Sequence, residues 1–131
     1  MPPIAARELH LVPSGRPVQL EVDAPERRRS GAWVCAYRVR GLGRIRGGRA
    51  TGADGLEALM LAIAALRREL EPFGGRLTWT GEPGELGLPV PVPDFLGSAF
   101  RRRVEHMVRA ETERETLRLG GVVTPPVGDR P

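Results

Sequence analysis

The sequence predicts an α+β fold: an antiparallel meander of three to five strands with two helices packed on one face. Two observations carry this. Period-2 segments crowd the first 50 residues, and two segments of helical period follow, over 54–71 and from Asp94 onward. Strands that cluster ahead of helices favour an antiparallel sheet over alternating β-α units.

Ile4–Val12 opens the chain as a strand, with Leu9 and Leu11 on one side and His10 on the other. The turn chemistry of residues 13–17, PSGRP, joins it to a second strand. There Val18, Leu20 and Val22 alternate with Gln19, Glu21 and Asp23. Residues 24–31, APERRRSG, read as a polar loop. The clearest strand is AWVCAYRVRG at 32–41, which sets Trp33, Cys35, Tyr37 and Val39 against Val34, Ala36, Arg38 and Arg40. After Gly41–Gly43 the chain turns, and Arg44–Thr51 forms a short return strand weakened by glycine.

Leu56, Leu59, Met60, Ile63, Leu66 and Leu70 then fall on one helical stripe. Asp54 and Glu57 form a capping-box pair at its start, and Pro72 stops it. RLTWTG at 76–81 predicts a short strand, and GEPGELGLPVPVP at 81–93 a loop. The second helix starts at Asp94, weakens after Ala110 and ends by Gly120–Gly121. One domain over 1–119 and a disordered tail over 120–131 complete the expected organisation.

The chain carries 20 basic residues against 16 acidic ones, a formal net charge of +4. Every basic residue is Arg. The lack of Lys and Asn, beside 17 Gly and 13 Pro, points to the codon bias of a GC-rich genome. Charge is uneven: residues 1–50 hold 10 Arg against 4 acids, and residues 51–100 hold 3 Arg against 7. Such polarity suits an acidic partner or a copy of the same chain. No apolar run has the length of a signal peptide or a membrane span, so a cytoplasmic protein is expected.

Catalytic chemistry finds little material. The glycines GLGRIRGG at 41–48 lack the spacing of a dinucleotide loop, and Asp54 occupies the helix start where a phosphate would sit. The lone Cys35 lies mid-strand among apolar residues, where a thiol is structural. His10 and His106 stand in no metal-ligand spacing. The carboxylate groups Glu82 with Glu85, and Glu111 with Glu113 and Glu115, belong to solvated segments. The sequence therefore predicts no catalytic residue, no cofactor and no metal.

Two surfaces remain. Arg38, Arg40, Arg44, Arg46 and Arg49 form a stripe around the third long strand, and Arg27–Arg29 and Arg101–Arg103 are triplets. Within these, Arg38, Arg40, Arg44, Arg46, Arg101 and Arg102 are the candidate anion or nucleic-acid contacts. Phe95, Leu96, Phe100, Val104 and Met107 are the candidate partner interface, an apolar face larger than one small core needs. With a sheet edge left open, the leading expectation is a non-enzymatic protein-interaction or accessory domain, dimeric or bound to another protein. Arginine-mediated nucleic-acid binding is the alternative.

Four blocks occur in order: WVCAYRVRGLG, GADGLEALMLAIAALRREL, LTWTGEPGELGLP and FRRRVEHMVRAE. Their pattern, W-x-C-x-Y, then G-x-D-[SG]-L-x-A-L-x-L-A, then L-x-W-x-G-E, resembles a family of small bacterial proteins defined as a domain of unknown function. The resemblance spans roughly residues 4–113 and implies a single cytoplasmic domain; it brings no catalytic residues. A looser likeness is architectural. Thr51, Gly52, Asp54, Glu57, Ala58 and Leu59 are similar to the hairpin-to-helix junction of HicB-type antitoxins, a likeness of fold; an antitoxin- or immunity-like role is one form the expected interaction function takes.

Overall fold

A computed structural model describes residues 3–92 and 94–120. Six strands and two helices appear in the order β1 (Ala5–Leu11), β2 (Pro17–Val22), β3 (Glu26–Arg27), β4 (Trp33–Arg40), β5 (Arg46–Gly52), α1 (Gly55–Leu70), β6 (Leu77–Thr78) and α2 (Ser98–Arg118). The fold class is α+β, and the sheet is antiparallel and open. Its strand count exceeds the expected three to five because the 24–31 segment supplies a two-residue strand, β3.

β1, β2, β4 and β5 form the meander. β3 continues along the β2 side of β4, and β6 returns after α1 to lie beside β1. The register Leu9↔Val18, Leu20↔Val39 and Val22↔Tyr37 puts the predicted apolar rows on one face. The opposite face carries Glu8, Gln19, Glu21, Arg38 and Arg40, as the alternation requires.

α1 covers the apolar face. Its start follows the sequence reading: the Asp54 carboxylate accepts the Glu57 N–H at 2.8 Å, and Glu57 Oε1 accepts the Ala53 N–H at 2.8 Å. The face it buries follows the stripe in part: Leu66 and Leu70 are buried and Leu59 packs on the core. Ala58, Ala62, Ala65, Leu66 and Leu70 point inward, whereas Leu56 and Met60 of the predicted stripe are exposed. The cause is proximity. A Cβ on Gly52 of β5 would lie 2.5 Å from the Ala58 backbone nitrogen. At that separation, at the start of the helix, glycine and alanine are the residues that fit, and Leu56 and Met60 are turned outward. The core combines this alanine face with Leu9, Val18, Leu20, Val22, Val39 and Leu77.

Cys35 belongs to the same core, fully buried, and its thiol donates to the Asp23 carbonyl at 3.3 Å. Burial, with the Asp23 charge second, pushes its pKa up and keeps it a thiol.

The chain divides into two compact units after Val90. In the second, a short 3-10 turn at Asp94–Leu96 precedes α2. The helix does not weaken after Ala110 but runs on to Arg118. Local pairs sustain it: Arg114 bonds Glu111, Arg118 bonds Glu115, and the Thr112 and Thr116 hydroxyls donate to the carbonyls of Val108 and Thr112. Apart from Gly120, the tail expected at 120–131 lies outside the described residues. Among the described residues no helix is long and apolar enough to cross a membrane.

Candidate functional site

The two edges of the sheet are built differently. At one, β6 pairs with β1 through His10↔Thr78 and Leu11↔Leu77. Its outer side is closed by the next residues of the chain: Gly84 donates to the Leu77 carbonyl at 2.8 Å, and Trp79 N–H donates to the Glu85 carbonyl at 2.8 Å. The expected strand at 76–81 is thus two residues long, because the chain folds back on itself at once.

That return segment is strapped across the core face. Leu86 and Leu88 pack on the core. The Arg7 guanidinium lies 3.8 Å from the Trp79 ring centroid and donates to the Gly87 carbonyl at 2.5 Å. Arg67 donates to the Leu88 carbonyl at 2.9 Å. A cavity of about 230 Å³ remains beneath the strap, lined mainly by Ala5, Leu20, Val22, Ile63, Leu66 and Leu88.

At the other edge, β5 pairs with β4 along seven residues, from Trp33↔Gly52 to Val39↔Arg46. Among the described residues no strand pairs with its outer side. Five of its seven residues are exposed. An unpaired, exposed row of backbone donors and acceptors is a template for another strand.

The arginines do not form one stripe. Val39↔Arg46 and Ala36↔Arg49 put Arg46 on the α1 face and Arg49 on the other. Arg38 and Arg40 share the face of Arg49, but acids hold both. Arg38 Nε donates to Glu21 at 2.8 Å and its terminal nitrogens reach Asp23 at 2.5 and 3.1 Å. Arg40 Nε donates to the same Glu21 oxygen at 3.0 Å. The Arg40 hydrogen bond, then that of Arg38, holds the Glu21 carboxyl below its usual range, and the Arg38 hydrogen bond does the same for Asp23.

Two hollows lie over β4, one on each face of the sheet, and each is bordered by one arginine of β5. On the α1 face Arg46 meets Arg68, Glu69 and Tyr37 around a space of about 290 Å³. The Arg46 guanidinium also lies 5.1 Å from the Phe73 ring centroid. On the open face Arg49 meets Arg28, Asp23 and Glu26 around about 130 Å³, with Val34 and Ala36 beneath. Sequence reasoning passed over Arg28 and Arg68 as site residues. Arg28 lay in a triplet with no assigned position, and Arg68 in the last turn of a helix, where a basic residue is ordinary.

Arg44 stands exposed in the turn before β5. Arg101 and Arg102 belong to α2, where Arg101 donates to the Val92 carbonyl at 2.8 Å. Of the apolar interface candidates, Phe95, Leu96 and Met107 are exposed, and Phe100 and Val104 are half-buried.

The family model for a domain of unknown function, DUF6968, matches residues 5–90, and the chain belongs to this family. The matched segment is the first compact unit, from the start of β1 to the end of the strap. No curated protein and no solved structure matches the chain.

Proposed function

We propose that this is a non-enzymatic protein-interaction domain that receives a partner's strand on β5. One observation carries the reading: a seven-residue edge strand whose outer side no strand covers among the described residues, in a sheet whose β6 edge is closed by its own chain. Strand addition supplies affinity through main-chain hydrogen bonds and specificity through side chains on alternate faces. Such a role suits a cytoplasmic accessory protein of the antitoxin or immunity kind.

Arginine-mediated nucleic-acid binding has less support. Arg38 and Arg40 already hold acidic partners, and Arg46 faces the other side of the sheet.

The test is site-specific photo-crosslinking in the native host. A photoreactive residue at Arg49 on β5 should yield discrete protein adducts, whereas one at Glu8 on β1 should not. Adducts of equal yield from both positions, or none from Arg49, would sink the reading.

A further inference from the structure

The charges along β5, and the hollows behind them over β4, say what kind of strand it accepts. Arg46 and Arg68 open on the α1 face, and Arg28 and Arg49 on the other. Among the described residues none of these four makes an ion pair. Each hollow also holds carboxylates. Asp23 is committed to Arg38, so Glu69 on one face and Glu26 on the other leave each hollow with a surplus of one guanidinium.

We propose that the strand β5 accepts is an acidic, extended segment of another protein, bearing two carboxylates three residues apart. The proposal rests on the strand-addition reading and names its partner class. Spacing follows from register. Arg46 and Arg49 are three residues apart and therefore on opposite faces. A strand added alongside places its side chains about 4.5–5.5 Å from those directly opposite. One carboxylate then lies across from Arg46 on the α1 face, and the other across from Arg49 on the opposite face. The guanidinium fork takes a carboxylate in bidentate fashion. Arg46 keeps its cation–π contact with the Phe73 ring, 5.1 Å from its centroid, on the same face.

A second copy of the chain fits less well. Its own β5 would bring another Arg46 and Arg49 to the seam, and like charges across a strand pair repel. A nucleic acid has no strand edge to match the backbone of β5.

The experiment titrates the full chain with a labelled, end-capped ten-residue peptide. Its residues alternate between valine and threonine, except for two glutamates three positions apart. Fluorescence anisotropy reads binding, and amide exchange of residues 46–52 reads its place. The acidic peptide should bind and protect those amides. Replacing both glutamates by glutamine should weaken it roughly tenfold or more, and moving them to two positions apart should weaken it several-fold. Arg46→Gln and Arg49→Gln should each weaken binding by about three- to tenfold, with circular dichroism confirming the fold. Arg49→Glu should regain affinity for a peptide whose glutamate facing it is replaced by lysine.

Equal binding of the glutamine peptide would overturn the acidic partner and leave strand addition standing. Equal binding of an acidic peptide with alternate backbone nitrogens methylated would overturn strand addition itself. Tighter binding of single-stranded DNA that displaces the peptide would overturn the proposal in favour of nucleic acid. A dimer in light scattering that excludes the peptide would overturn it in favour of a second copy.

Discussion

The two edges of this sheet solve one problem in opposite ways. At β6 the outer backbone is used up within eight residues: Leu77 and Glu85 accept from Gly84 and Trp79, and Arg7 clamps the return segment to Trp79. At β5 no strand among the described residues covers the outer side, which is flanked by the exposed Arg46 and Arg49. Both edges border the same core, so the difference is not one of stability at the centre. The closed edge is held by contacts within the chain and the open edge is available to another. Substitutions along the first should register in unfolding, and those on the outer rim of the second in binding.

The largest effect is expected where β5 is anchored rather than where it is open. A Cβ at Gly52 meets Ala58 N at 2.5 Å and the Ala58 Cα and Glu57 carbonyl carbon at 3.0 Å, all backbone atoms. Gly52→Val should cost about 3 kcal/mol or more in urea unfolding. The closed edge comes next. Gly87 has φ +67°, and a Cβ there would overlap the Trp79 ring and press on Arg7 Nη1. Gly87→Ala should lower stability by about 2 kcal/mol and speed amide exchange at residues 77–85. An unchanged exchange pattern would mean that the strap does not close that edge.

A smaller effect is expected at the charge ladder. Arg38→Gln leaves Glu21 with Arg40 alone and Asp23 without its partner. The loss at neutral pH should be about 1–2 kcal/mol, since the groups are only partly buried. Its pH dependence has a definite sign. Folding lowers both carboxyl pKa values from the ordinary 4.5 and 3.8, so their contribution is present above those values. It is lost as the pH falls from those ordinary values through the lower folded ones, and wild-type and variant unfolding curves should converge once the pH lies below both folded values. A difference that persists into stronger acid would assign the effect to packing of the Arg38 stem.

The smallest effect sharpens the comparison most. Arg49→Gln, on the open edge, should change stability by no more than about 0.5 kcal/mol while weakening a bound acidic strand. A large loss of stability there would make the β5 rim structural and remove the contrast between the edges.

Much of the molecule was legible because its signals are local. The Asp54–Glu57 cap lies within four residues, and the alternation in β2 and β4 is undisturbed, so both strands and the start of α1 were readable. The continuation of α2 past Ala110 was missed because i,i+3 pairs and threonine-to-backbone bonds give no apolar period. The stripe on α1 holds at Leu66 and Leu70 but fails at Leu56 and Met60, for a different reason. Hydropathy ranks leucine above alanine, but the sheet ranks residues by how closely a backbone must approach, and Gly52 allows an approach that only alanine tolerates. Arg46 was grouped with Arg38 and Arg40 because the stripe was read along the chain. Across the turn at 41–45 the register reverses its face.

By itself, then, the sequence determined the class of fold, the alternation of faces in each strand, the helix cap, and the buried, unreactive state of Cys35. These depend on residues a few positions apart. Only the tertiary structure decided which edge of the sheet stays open, and which arginines are neutralised by Glu21 and Asp23. It alone also brings Arg28 beside Arg49, and Arg68 beside Arg46. Those outcomes depend on strand order and register, set by packing between segments tens of residues apart, and no periodicity within a single segment records them.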